Sequence, residues 1–323
     1  IIARPHFGSL TRTDQTHLLE IAQQTPGADL PHLRTLLDRN LDGNSGLRAR
    51  GTAGGRERLI DSLHEVATRP LDGELTRAHI ERSELVGSLT REVALPRDID
   101  QGPLGMCGTT SVAYGLARRY PAEYARIVSD LATDGRTTLA DGDPLLLERD
   151  DLQLGRVGSS RRLDTRSPSE RIFQGSMASG VYASSDGGIT AAGSAHQLAR
   201  LFNRDYTVSA VEPRREATSI SRHVDVEGAT AEELVARLRA EPAGLTIVNM
   251  RFGTASQSDS HHALTFDHAE GGRIYLRNPW GSVPDSLYAS RPFVRVEDAE
   301  RGVISISEAE LRGRITSIVQ EDQ

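Results

Sequence analysis

Apolar residues recur at three- and four-residue intervals through the N-terminal part of the chain. Leu18, Leu19 and Ile21 form one group, Leu33, Leu36, Leu37 and Leu41 a second after Pro31, and Leu59, Ile60, Leu63 and Val66 a third. Ile80, Leu85 and Leu89 make a fourth. Each group is the spacing of one buried helical face, and Gly and Asn punctuation at 42–46 and 51–55 separates segments. A small helical domain is expected within residues 1–95. Leu95-Pro-Arg-Asp-Ile-Asp-Gln-Gly-Pro103 is a turn-rich link, after which a second domain, 96–323, is expected. A helix is predicted from near Cys107, small and apolar along Thr110, Ala113, Tyr114 and Ala117, and resumed after Pro121 by Tyr124, Ile127, Val128 and Leu131. Residues 133–190 are polar and Gly-rich, the pattern of long loops with short helices.

Farther on, a helix from Ala195 (Leu198, Leu201, Phe202) leads to a strand at Tyr206–Val211, and Ala231–Leu238 is a second amphipathic helix. Strands are predicted at Leu245–Phe252, His262–Phe266 and Ile274–Leu276, with Glu270-Gly271-Gly272 as the hairpin turn between the last two. Helices early and strands late imply an α+β fold.

Composition narrows the function. At 323 residues the chain has room for about two domains. Its apolar runs are far shorter than the ~20 residues that span a bilayer. The 38 positive residues against 45 acidic ones give a net charge of −7 with no basic block, which argues against nucleic acid as a partner. One cysteine allows neither an intramolecular disulfide nor a zinc site built from thiolates, and no metal or organic cofactor is expected. There is no lysine, so every positive side chain is an arginine and none can be ubiquitinated or form a Schiff base. The chain opens on Ile1-Ile2 without Met or an apolar leader segment, and is expected to be a processed or excised piece without a signal peptide. Asp38, Asn40, Asp42 and Gly43 imitate the start of a calcium loop, but Ala49 stands where the bidentate Glu belongs, so an Asx-rich helix terminus is expected. Arg161-Arg162 and Arg214-Arg215 are expected to be solvated.

Candidate chemistry starts at the lone thiol. Gly102-Pro103, Gly105 and Gly108 surround Cys107, so the chain turns tightly and Cys107 falls in the first turn of its helix. There the helix dipole and unbonded N–H groups favour a thiolate. Gln101, six residues upstream, offers an amide to a developing oxyanion beside the Cys107 N–H. A thiolate nucleophile needs a proton carrier. His6, His17, His32, His64 and His79 lie in the helical part and are expected on solvated surface, and His196 and His223 lie on or near amphipathic elements. His262 opens a strand and shares parity with Leu264 and Phe266, whereas His261 points the other way. Asn278 follows the next strand of the hairpin, so cross-strand pairing brings it beside His262. Its carbonyl is expected to accept from Nδ1–H, leaving Nε2 toward the sulfur. Trp280, the only tryptophan, is placed to shield that bond. Asp259 and Asp267 are expected to be solvated, with Asp267 a reserve orienter of the imidazole.

Gln101-Gly-Pro-Leu-Gly-Met-Cys107, His262-Ala-Leu and Asn278-Pro-Trp-Gly281 together resemble the papain-like cysteine peptidases, the calpain-type branch above all. That branch writes the three segments Gln-Gly-x-Leu-Gly-Asp-Cys-Trp, Gly-His-Ala and Asn-Pro-Trp-Gly. The resemblance covers roughly 96–318. It implies a two-lobed fold, with a helical lobe carrying the nucleophile and an antiparallel β lobe carrying His262 and Asn278. It also implies a thiol protease acting on a protein or peptide substrate, with Cys107, His262 and Asn278 as triad, Gln101 at the oxyanion and Trp280 in support. Gly108 stands where the family has an aromatic residue and Met106 where it has an acidic or small one. These departures keep two alternatives open: a glutamine deamidase, transglutaminase or acyltransferase working through a thioester, and an inert binding module on the same frame. The lysine-free composition and the extra helices suit a bacterial effector or toxin, secreted or delivered into another cell; GC-rich codon usage yields the same composition.

Overall fold

The computed structural model describes residues 2, 6–39, 46–47, 49, 58–102, 105–147, 152, 165–178, 190–213, 223–240, 244–253, 261–281 and 288–322. Asn40, Asp42 and Gly43 of the calcium-like stretch, Leu41, Pro103, Asp259 and the pairs Arg161-Arg162 and Arg214-Arg215 lie outside the described residues. The chain is α+β and divides into two compact units, Ile1–Ile99 with Ala113–Ser179, and Asp100–Val112 with Gly180–Gln323.

The first unit is mainly helical: α1 (Arg12–Gln24), α2 (Leu30–Asp38), α3 (Leu59–Thr68), α4 (Gly73–Arg77), α5 (Arg82–Ala94), the later part of α6 (Cys107–Arg119), α7 (Pro121–Asp134) and α8 (Pro168–Ala178). The periodic apolar groups are its core: Leu18, Ile21, Leu33, Leu36, Leu37, Leu63, Val66, Leu85 and Leu89 are buried. Thr11 caps α1 by accepting from the Asp14 N–H, and Gly135, at φ 67°, ends α7 in the left-handed conformation. The unit runs past residue 95 because α3 packs on α7 and α5 on α8. A two-stranded hairpin, β1 (Arg136–Thr138) with β2 (Pro144–Leu146), interrupts the segment expected to be loops and short helices. Three-residue strands are too short to show a period. Two histidines expected on solvated surface are instead stacked between α1 and α3, His17 on His64 at 3.8 Å, with His64 bonded to Glu20 at 2.6 Å.

The second unit is built on an eight-stranded sheet in the order β4-β3-β10-β5-β6-β7-β9-β8. Its strands are β3 (Tyr206–Ala210), β4 (Val224–Gly228), β5 (Ile247–Arg251), β6 (His261–Glu270), β7 (Arg273–Arg277), β8 (Arg295–Asp298), β9 (Val303–Ser307) and β10 (Ile315–Glu321). Among the described residues only the β3–β4 pairing is parallel. The helices are α9 (Ala191–Phe202), which packs on β3 and β10, α10 (Ala231–Arg239) and the short α11 (Glu308–Arg312). Leu234, Val235 and Leu238 of α10 close over Val248, Met250, Leu264, Leu276, Ile304 and Ile318. Pairing of Val248 with Leu264 and of Met250 with His262 puts the histidine at the end of this apolar face. The expected strands at 245–252, 262–266 and 274–276 are β5, β6 and β7, and the Gly271-Gly272 turn joins the last two with both residues at positive φ.

The first unit also buries a carboxyl group. Glu92 of α5 accepts from Tyr124 at 2.7 Å and Ser169 at 2.6 Å, and from Ser167. Burial, the dominant cause, raises its pKa against the lowering effect of these donors. The folded chain therefore holds a proton at Glu92 above pH ~4.5, where the unfolded chain releases it, so this contribution to stability falls as pH rises. Glu92→Gln, which never ionises, is expected to gain on the wild type as pH rises from 4.5 to 8, read as thermal midpoints; a pH-independent difference would mean that Glu92 folds as a carboxylate.

Candidate active site

Every described residue of the predicted constellation belongs to the second unit. Cys107 is the first residue of α6, as the glycine-rich turn before it predicts, and is partly exposed. The Thr110 N–H donates to the Met106 carbonyl at 2.9 Å, closing the first turn. One turn on, the Ser111 hydroxyl reaches the Ala263 carbonyl at 3.5 Å. The opening turns of α6 thus lie against the start of β6, next to His262. A second tie comes from Gln197 of α9, whose amide donates to Thr109 at 3.0 Å.

His262 is buried and His261 exposed, as strand parity predicts. The β6–β7 register pairs Thr265 with Arg277. One step further, Asn278 stands diagonally from His262 on the same side of the sheet, within side-chain reach. The contact is made: His262 Nε2 and Asn278 Oδ1 are 2.8 Å apart. Asn278 is itself fixed at both ends. Its Nδ2 donates to the Tyr288 hydroxyl at 2.9 Å, and its Oδ1 also accepts from the Trp280 N–H at 3.1 Å. An acceptor on two sides identifies that atom as the oxygen, so Nε2 carries the hydrogen and Nδ1 is the basic nitrogen of the neutral ring. This reverses the expected assignment of the two nitrogens. The reason is reach: the Asn278 side chain, anchored from behind by Tyr288, meets the tip of the imidazole rather than the atom next to Cγ. Asp267 bonds His268 at 3.0 Å, and Asn278 takes the orienting place.

Aromatic rings wall the pair. Trp280 lies 4.8 Å and Phe252 4.9 Å from the His262 ring, centroid to centroid, and the two meet edge to face at 5.4 Å. Burial, foremost, and the charge of Arg291 lower the His262 pKa to about 4, against a raising effect of the Asn278 bond. The imidazole is thus a neutral base at pH 7. Gln101 is buried beside the same loop, its N–H donating to the Pro279 carbonyl at 2.9 Å. Gly102, at φ 57°, turns there and donates to the Asp100 carboxylate at 2.6 Å.

No family model matches this chain, and no curated protein or solved structure matches it. Among the described residues no group of three or more His, Cys, Asp or Glu side chains can hold a metal ion, and no helix is long and apolar enough to cross a membrane. Sequence reasoning missed Tyr288 and Arg291, which follow Asn278 in a stretch without periodicity. Phe252 had a signal, as the end of a predicted strand.

The loop is tightly packed at Gly281, which has φ 69° and where a Cβ would stand 2.8 Å from the Asp100 Cβ. Gly271, at φ 56°, has open space around it. Gly281→Ala is expected to cost about 2 to 3 kcal/mol in urea unfolding and Gly271→Ala only about 1. Equal costs would show that the Asp100 segment is not packed on this loop.

Proposed function

We propose that this chain is a papain-like cysteine peptidase, closest in its motifs to the calpain type, that hydrolyses peptide bonds of a protein substrate. The observation that carries the reading is the buried His262–Asn278 hydrogen bond under Trp280, on a strand whose start abuts the opening turns of the helix that Cys107 begins. Three groups with separate chemical duties are what thiol acylation needs, and the chain order Cys, His, Asn is the one the resemblance to papain-like peptidases implies.

In this mechanism Nδ1 of neutral His262 takes the proton of Cys107, and the helix N-terminus stabilises the thiolate. The sulfur adds to the substrate carbonyl, and the oxyanion meets the Cys107 N–H and the Gln101 amide. His262, now imidazolium, gives its proton to the leaving amine as the C–N bond breaks. It then takes a proton from water, which adds to the thioester, and the returning proton releases Cys107. Asn278 holds the ring through Nε2–H in each step, so the tautomer does not change. The lysine-free composition is compatible with a site of action inside another cell, as a delivered effector or toxin, and follows equally from GC-rich codon usage.

Identification of new protein N-termini in a host-cell lysate, with wild type against Cys107→Ala, tests the reading. Discrete termini that disappear with Cys107→Ala are expected. A +1 Da change at glutamine with no new termini would replace hydrolysis of peptide bonds by deamidation, and no change of either kind would reject both.

A further inference from the structure

Arg291 is built into the wall around His262. Its Nε–H donates to the Phe252 carbonyl at 3.0 Å, and its guanidinium carbon lies 5.4 Å from the Phe252 ring centroid and 5.1 Å from that of Trp280. These are the two rings that stand against the imidazole. The Arg291 N–H bonds the Tyr288 carbonyl at 2.8 Å, so one turn carries both the hydroxyl that holds Asn278 and the cation that holds the rings. Cation–π contact with two rings and a hydrogen bond to backbone leave the guanidinium few alternative positions.

We propose that Arg291 is a positioning residue for His262, its cation clamping the Phe252 and Trp280 rings and opposing a second proton on the imidazole. The inference rests on the reading of His262 as the base of the site. Electrostatic surroundings support it. Asn278, Trp280 and Phe252 face His262 without charge, and α6 presents Cys107 and Ser111 at its head. Arg251 pairs with His261, which puts it on the opposite face of the sheet. Arg277 pairs with Thr265, likewise opposite in parity, and Asp100 lies against Gly281 with an oxygen bonded to Gly102. Arg314, stacked on Phe293 at 3.6 Å, is joined to Glu310 at 2.8 Å. Among these groups Arg291 touches both rings that stand against the imidazole, and its charge is one cause of the low His262 value of about 4.

A fixed cation favours every deprotonated form of the coupled thiol and imidazole, so removing it moves the pair's apparent values upward together. The direct readout is the His262 ring resonance of the full chain, labelled at histidine, assigned by its loss in His262→Gln and titrated by NMR. In Arg291→Gln the midpoint is expected to rise by roughly half to one pH unit, and in Arg291→Lys to stay near wild type. Arg291→Met, which keeps bulk without charge, is the second neutral variant should Arg291→Gln not fold. In a peptidase assay the acid limb of kcat/KM is expected to move up with the neutral variants and return with Arg291→Lys. An unmoved midpoint in folded neutral variants, or a drop in kcat/KM that is uniform with pH, would make Arg291 a packing residue and overturn the proposal. The titration needs no turnover, so a moved midpoint in a chain that produces no new termini would sink the peptidase reading and leave the role of Arg291 standing.

Discussion

The site depends on one hydrogen bond, from His262 Nε2–H to Asn278 Oδ1, 2.8 Å long and buried. A hairpin sets it up. The two-glycine turn starts the β6–β7 pairing, a one-residue register shift between Phe266 and His268 brings Asn278 to the His262 face, on its diagonal, and the apolar face continuing from Leu264 takes the imidazole out of water. Burial makes the bond consequential, because a polar group left unmatched there costs roughly 1–3 kcal/mol. Tyr288 and the Trp280 N–H complete the hydrogen bonding of Asn278, so its amide has one orientation and the ring one tautomer.

Around that bond the structure resolves an electrostatic conflict. A base must take a proton, yet desolvation and the Arg291 cation both oppose charge on His262. A neutral resting imidazole is the outcome, and in the proposed mechanism the imidazolium forms only together with a negative sulfur. In the proposed mechanism the helix N-terminus at Cys107 and the amide of Gln101 would receive the negative charge, first on sulfur and then on the substrate oxygen. On that proposal activation is a property of the pair, and neither residue is poised by itself.

Local pattern made much of this legible. The turn-and-glycine text around Cys107 predicts a helix starting there, and it does. Parity separated His262 from its neighbour His261, and the hairpin pointed to Asn278, but the register shift between Phe266 and His268 that brings Asn278 to the same face carries no sequence period. The helical faces of the N-terminal segment were written in the leucine spacing. What escaped was long-range. The nitrogen facing Asn278 is decided by Tyr288, ten residues away in an aperiodic stretch, and Arg291 meets Phe252 only after the chain has folded back. The partnership of the early helices with α7 and α8, and the stacking of His17 on His64, likewise follow from packing between segments far apart in sequence. No periodicity encodes them.

Because Cys107 is the only thiol, its reaction with iodoacetamide reports on this one atom. The most direct test compares labelling rates of wild type and folded His262→Ala at pH 6, where an unassisted thiol is almost wholly protonated. The account predicts labelling at least about tenfold faster in the wild type, since His262 takes the thiol proton as the sulfur attacks the probe and alanine cannot. Equal rates would contradict it, showing that Cys107 and His262 do not act together.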